Sequence, residues 1–525
     1  MNVQIDELRV AARNASPEID RDLRGHIARF LAVSQADVLD WHIIRRGIDA
    51  RKKPDVKLLY RLRVSLRDGV TPKNVSPVSP VVTPWQPVEP RGNVEPIVIG
   101  AGPAGLFAAY VYALAGCRPV VIDRGRDVVR RKADIDRFFQ TRELDPESNL
   151  LYGEGGAGTW SDGKLYTRIR DPRIDFILKT FVECGAPEEI RYFSHPHVGS
   201  DRLPDVIRKL RERICALGGT FLWGRQVTAP VIRDGKCCGV KLSDGETIPG
   251  SVVLAACGHS AREFILNLTK SGAAFAMKGF QVGVRVEHPQ RLINAAQYGA
   301  ADPMPCLGAA EYALSDPASE QNPGGMVSFC MCPGGEVIPA VAETDHLRTN
   351  GMSCYARAGA FSNAALVTGF SAETFADPAS AFAFLDSIER NIFTAGGSDY
   401  TFPAQTATDF LAGRHSSLTK QETSCRLGLV SAGLHEILPA RLTHALQHAM
   451  PRFEKRIPGF IREGLLIGAE TSVSSPVRFL RDPETLESNI AGLWMAGEGA
   501  GTAGGITSAA VDGMRAAEQS LLVRR

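Results

Sequence analysis

The run Ile97-Val98-Ile99-Gly100-Ala101-Gly102-Pro103-Ala104-Gly105 limits what this chain can fold into more than any other stretch. PIVI reads as a buried strand, glycines follow at the G-x-G-x-x-G spacing, and the alanine-rich AGLFAAYVYALAG reads as a helix. A second apolar run, RPVVID, ends in an acid, Asp123. Strand, turn, helix, strand and acid in that order specify a βαβ unit that binds a dinucleotide. Gly100 makes the tight turn, Gly102 lets backbone approach a pyrophosphate, and Gly105 lets the helix pack on the strand. The helix start at Pro103 and Ala104 offers unpaired N–H groups to phosphate. Asp123, with Arg124 beside it, is placed to accept from ribose hydroxyls, which favours an unphosphorylated ribose.

The same pattern recurs at Gly153, Gly155 and Gly158 in GEGGAGTWSDG, and formally at Gly499, Gly501 and Gly504. The Gly153 copy lacks the context. SNLLY before it is short and polar at its start, TWSDGK after it begins no helix, and no acid follows a second strand. One dinucleotide site is expected, and no separate NAD(P)H domain.

At 525 residues the chain is long enough for two or three domains. A formal charge of +2 gives no global basic field for nucleic acid or an anionic membrane. Eleven cysteines without paired C-x-x-C clusters read as reduced, mostly buried thiols. The start, MNVQIDELRVAARN, has no apolar signal core, and no run reaches the roughly 20 apolar residues of a membrane helix, so a cytoplasmic protein is expected.

Residues 1–70 read as a small α/β module. VQIDELRV is a strand with Val3, Ile5 and Leu8 inward, Ser16-Pro17 starts a helix over EIDRDLRGHIARFL, and WHII and VKLLYRLRVSL are further strands. Between those strands RRGIDARKK places Arg45, Arg46, Arg51, Lys52 and Lys53 together. It is a patch for nucleic acid or another anion, or a solvated hairpin tip; without interleaved aromatics the hairpin tip is favoured and no nucleic acid is expected. Seven prolines between Thr71 and Pro96, among them Pro80, make 71–95 a semi-extended linker or strap.

The C-terminal GLWMAGEGAGTAGGITSAAVDGMRAAEQSLL resembles the second FAD-contacting segment of glutathione-reductase-like flavoproteins. By that resemblance Gly497-Glu498 stands where an acid holds the ribityl chain, one methylene longer than the usual aspartate, and Gly505-Ile506 starts a helix aimed at the flavin. VVLAACGHSAR resembles the turn by which such proteins pass under the cofactor, at Cys257-Gly258, and the meander before it places Val227 near adenine. The runs GEGGAGTWSDGKLYTR, GVRVEHPQ, SFCMCPGGEVIPA, FPAQTATDFL and SSPVR resemble a bacterial family of largely uncharacterised FAD-dependent dehydrogenases, related also to geranylgeranyl-reductase-like flavoproteins. The resemblance covers nearly the whole chain. It implies an α/β fold: a glutathione-reductase-type FAD domain over 96–270 and 411–525, interrupted by an α+β substrate domain over 271–410. It also implies a loop at Gly155, Gly156 and Thr159 packed on FAD. The disulfide reductases' cysteine pair is absent from that loop, which argues against a dithiol mechanism. Ser472-Val473 stands where the family carries Arg-Thr, which points to a specialised substrate.

Candidate chemistry falls on a few residues. Lys164 could stabilise charge on reduced flavin, and Trp160 could meet flavin or substrate. Cys332 is a candidate wall residue, Cys330 its neighbour two residues back, and a disulfide between them would be strained. His259 is an acid–base candidate or a structural hydrogen-bonder. His195 and His197 lack further metal ligands, no metal is expected, and His197 is read as orienting a turn. Arg285 and Glu287 share a strand face as substrate clamp or cross-sheet ion pair. Gln405 and Arg478 are weaker pocket candidates. The reading is an FAD oxidoreductase moving hydride between flavin and a small organic substrate. Its redox partner stays open among NAD(P)H, quinone, a carrier protein and oxygen. A flavin monooxygenase or oxidase, and a flavin-bearing sensor acting through the N-terminal module, are the alternatives.

Overall fold

A computed structural model describes residues 1–78 and 83–523; Pro80 of the proline run lies outside the described residues. Its nucleotide half is a five-stranded parallel sheet ordered Leu493–Met495, Val252–Ala255, Pro96–Ile99, Val120–Asp123, Thr220–Trp223. These short strands are apolar because helices cover the sheet. The helix Pro103–Leu114 starts directly after the glycine turn and is buried along most of its length. The helix Ile506–Leu522 lies against it so closely that a Cβ on Gly513 would overlap the Ala104 carbonyl. Alanines and glycine on both helices permit that approach.

A three-stranded meander, Val227–Arg233, Lys236–Leu242 and Thr247–Pro249, leaves the sheet and returns. Its first turn puts Asp234 at φ 51° and Gly235 at φ 73°, the paired left-handed backbone of a type I′ hairpin.

The second layer is a seven-stranded sheet, antiparallel except for its last pair. Its order is Ser315–Asp316, Met326–Cys332, Phe361–Phe370, Phe280–Pro289, Leu465–Glu470, Phe402–Thr406, Leu429–Ser431. Phe280–Pro289 is central and buried on both faces, which explains its unbroken apolar and paired-polar content. Sequence reading ends this layer at 410, yet Leu429–Ser431 and Leu465–Glu470 belong to its sheet. The run LLIGAE is as apolar as a parallel strand, and only its pairing partner reveals which sheet it joins.

The N-terminal module is a three-stranded antiparallel sheet, Asn2–Ala11, Lys57–Leu66 and Val38–Asp49 in spatial order, backed by the helix Arg24–Leu31. Val3, Ile5 and Leu8 are buried. The helix begins at Arg24 and not at Ser16-Pro17, which instead lead into a short 3-10 turn over Ile19–Arg21. The basic hairpin divides in two. Arg51 and Lys52 are exposed, whereas Arg46 binds Asp20 at 2.8 Å and the Cys306 carbonyl at 2.6 Å and lies over the Phe193 ring. Arg46 therefore docks the module onto the body. The strap packs Trp85 on Phe176 and donates its indole N–H to Glu518 at 2.7 Å. Among the described residues no helix is long and apolar enough to cross a membrane.

Candidate functional site

The C-terminal ends of the parallel strands converge on one large cavity between the two layers. Gly100, Gly102, Pro103 and Ala104 line it from the first turn, Asp123 and Arg124 from the second strand, and Val227 from the meander. Cys257 and Gly258 line it from the turn after Val252–Ala255, and Gly497, Glu498, Gly505 and Ile506 from the C-terminal segment. Gly156 faces Gly102 so closely that a Cβ on Gly156 would lie 3.2 Å from the Gly102 Cα. Two glycine turns from distant segments thus meet at the wall, leaving bare backbone where a pyrophosphate must approach.

Three expected cofactor contacts sit behind that wall. A Cβ on Gly105 would overlap the Gly100 carbonyl, so Gly105 shapes the turn. Gly155 takes φ 82° and donates to the Ala101 carbonyl at 2.8 Å, joining the two glycine loops. Thr159 is buried and donates to the Glu154 carbonyl at 3.1 Å. Asp123 also braces the turn: its two carboxylate oxygens accept from the amides of Ala101 and Gly125, each at 2.8 Å.

Lys164 reaches from the glycine loop to the second layer. Its ammonium donates to the Met331 carbonyl and lies 2.9 Å from Asp162 Oδ2. Arg357 holds the same carboxylate from the other side, its Nε 2.9 Å from Oδ1. Burial pushes the Asp162 carboxyl up, but Lys164 and Arg357 outweigh it and hold it well below the usual carboxylate range. Burial pulls the Lys164 ammonium down, and the Asp162 carboxylate beside it outweighs that, so it stays protonated. Lys164 is therefore a fixed cation and donor, not a base.

His259 and Glu498 pair across the nucleotide half, Nδ1 to Oε2 at 3.1 Å, and both line the cavity. Their strands are neighbours in the sheet, so the topology creates this pair. Cys330 and Cys332 both line the cavity. A bulge between Phe329 and Cys332 puts Cys330 at φ 44°, so the regular alternation expected of a strand fails there. Burial pushes the Cys332 thiol up and the exposed Cys330 thiol is not brought below its ordinary range, so both are neutral near pH 7.

Arg285 is not on the wall. Its fully buried side chain binds Glu470 at 2.8 and 3.1 Å, the Cys330 carbonyl and Asn363 at 3.0 Å, and Asn350 at 3.1 Å. It forms the cross-sheet ion pair of the two readings, with Glu470 as partner. Glu287 turns instead to Thr423 and Ser424. Trp160 is buried against Arg131, away from the cavity. His197 donates from Nε2 to the Tyr355 carbonyl at 2.9 Å, and burial lowers its pKa. His195 is exposed beside Glu311, Gln405 is buried against Arg414 and His435, and Arg478 is exposed.

Arg131 escaped sequence reading. From the helix Val128–Thr141 its buried guanidinium donates to the carbonyls of Asn149 and Glu154 at 2.7 Å and Gly156 at 2.9 Å, which sets the glycine loop. Glu154 ties the same loop to Val128 N at 2.7 Å and Arg211 at 2.8 Å. An arginine inside an amphipathic helix carries no local signal of such a role. His346, Asp386 and Glu389 bring ligand atoms within 4.8 Å of one another. Arg262 and Arg348 already hold Glu389 at 2.6 Å, and two buried guanidinium groups oppose another cation.

The glycine turn, bare backbone and brace at Asp123 fit a dinucleotide of the FAD type. Residues 279–473 match the family described as FAD-dependent protein, C-terminal domain-like, and residues 2–65 match a domain of unknown function (DUF8436). A protein of Clostridium beijerinckii described as uncharacterized is 38% identical over 97% of this chain and 98% of its own. The chain resembles the geranylgeranyl bacteriochlorophyll reductase-like protein of Thermoplasma acidophilum at 13% identity and TM-score 0.33, covering 82% of this chain and 78% of that one. It resembles the flavin-dependent brominase Bmp2 at 11% identity and TM-score 0.38, covering 82% and 81%. This is an FAD-dependent flavoprotein. It belongs to the family of the clostridial protein.

Proposed function

We propose that the protein is an oxidoreductase in which FAD and an organic substrate share this one cavity. The observation that carries the reading is its extent. Its lining runs from Gly100 and Gly102 at the first glycine turn to Phe329, Cys332 and Glu470 on the second layer, so one space joins the nucleotide half to the substrate layer. FAD, when bound, supplies hydride exchange.

The chain's residues supply position and charge. Gly100, Gly102 and Gly156 offer backbone to the pyrophosphate, and the start of Ile506–Leu522 presents its unpaired N–H groups at Gly505 and Ile506. Glu498, oriented by His259, is the acceptor for a hydroxyl of the ribityl chain. Lys164, held by Met331 and Asp162, keeps a positive charge at the substrate end where negative charge would develop.

Anaerobic titration of the purified yellow protein with NADH, NADPH and candidate organic reductants tests the reading. Bleaching of the flavin band by at least one is expected. Protein that holds no flavin and cannot be reconstituted with FAD overturns it.

A further inference from the structure

The second-layer wall of the cavity is selective in its hydrogen bonding. Two carboxylates stand there, Asp162 and Glu470, and both are buried, at 3% and 1% exposure. Arg357 and Lys164 take the oxygens of Asp162, and Arg285 and Thr349 take those of Glu470. Asn350 spends its carbonyl on Arg285 at 3.1 Å and on Gly351 N at 2.7 Å, two donors that fix which end is oxygen. Each carboxylate oxygen on this wall therefore already holds at least one donor.

The donors are not all engaged. An ammonium has three N–H bonds, and Lys164 uses two of them. The Asn350 amide nitrogen has no partner among the described residues. Lys164 and Arg357 set two positive charges beside Asp162, and Glu311 lies 4.0 Å from Arg357 on its far side. Around these donors the wall is apolar: Phe329, 39% exposed, Val473, and the neutral thiols of Cys330 and Cys332.

We infer that this wall receives a flat, apolar ligand through one electron-rich oxygen: a conjugated carbonyl or a phenolate. Phe329 lines the space beside its body, and Lys164 and Asn350 donate to its oxygen. A ligand bearing an amine meets carboxylates already engaged by Lys164, Arg357 and Arg285. The inference rests on the shared cavity proposed above and names the chemistry of its second occupant.

Difference absorbance of the bound flavin reads the site directly, with menadione, para-chlorophenol and benzylamine as probes on the FAD-loaded protein. Menadione and para-chlorophenol are expected to shift the flavin band at saturable concentrations, and benzylamine to leave it unchanged. Lys164→Met should weaken para-chlorophenol by roughly tenfold or more, while Lys164→Arg keeps much of the affinity. If Lys164→Met loses its flavin, the comparison of oxygen and amine probes on the parent protein still decides. Benzylamine binding as tightly as the oxygen probes overturns the inference, as does a flavin-loaded protein that ignores both oxygen probes. Absence of bound flavin overturns the functional reading instead.

Discussion

Replacing Glu470 by glutamine tests the buried pair that supports the substrate wall. The change keeps shape and removes the charge opposite Arg285, whose side chain is fully buried. Stripping one partner from such a pair costs about 3–5 kcal/mol, because the remaining charge cannot reach water. Arg285→Met should cost a similar ~3–5 kcal/mol. The double variant should cost far less than the sum, since no charge is left stranded. Asn350 then keeps Gly351 N, Thr349 keeps the Ala469 carbonyl and the Cys330 carbonyl keeps the Cys332 thiol, while the Asn363 oxygen loses its Arg285 donor, at about 1–3 kcal/mol. The assay is urea unfolding of the flavin-free proteins by tryptophan fluorescence and circular dichroism, whose transitions must coincide for the energies to be compared. An interaction energy of roughly 3 kcal/mol or more is expected from the cycle. Additive single costs, or a Glu470→Gln cost below about 1 kcal/mol, would refute the argument that this pair is buried and mutually dependent.

Gly102→Ala and Gly105→Ala should separate ligand approach from fold. A Cβ at Gly102 meets protein only at 4.0 Å, so FAD affinity should fall roughly tenfold or more with little change in the unfolding of the flavin-free form. Gly105→Ala drives into the Gly100 carbonyl and should lower both. Acid should act through Glu389. Burial raises its carboxyl, Arg348 and Arg262 outweigh this, and the folded pKa is pushed down to about 2. A depressed folded value stabilises above the unfolded carboxyl near ~4.3 and loses that contribution as pH falls toward 2, about 3 kcal/mol in all. The stability gap between the parent and Glu389→Gln, measured by urea midpoints across that window, should therefore narrow with acid; a constant gap would contradict it. Arg46→Ala should loosen the N-terminal module, seen as faster amide exchange in 190–194, with flavin content unchanged.

The nucleotide half was legible because its signals are local. A strand, a glycine turn, a helix and Asp123 all lie within one βαβ unit, and the Asp-Gly turns of the meander need only their own backbone. The substrate wall was less so, for three physical reasons. Alternation places Arg285 and Glu287 on one strand face but cannot name Glu470, which lies 185 positions along the chain. A bulge at Cys330 breaks the period that assigns faces. Arg131 and Arg357 act on partners from other segments, so neither carries a motif. Trp160 shows the converse: it lies on the right loop, but its ring packs on Arg131, and a loop's position does not fix where each side chain points.

The order of strands in the nucleotide sheet bears on how the protein is made. Leu493–Met495 is the outer neighbour of Val252–Ala255, and Ile506–Leu522 packs on the first helix of the same half. During synthesis the strands through Val252–Ala255 leave the ribosome while the second layer is still being translated. Until residue 522 emerges, the sheet has an open edge at Val252–Ala255 and the helix Pro103–Leu114 an uncovered face. Such an edge is a template for pairing with another chain. The seven-stranded layer can form first, since its strands are complete by Glu470. Cofactor capture is then a late event, possible only when Gly497 to Ile506 have joined the cavity, and FAD would act as the last piece that locks two separately translated halves together.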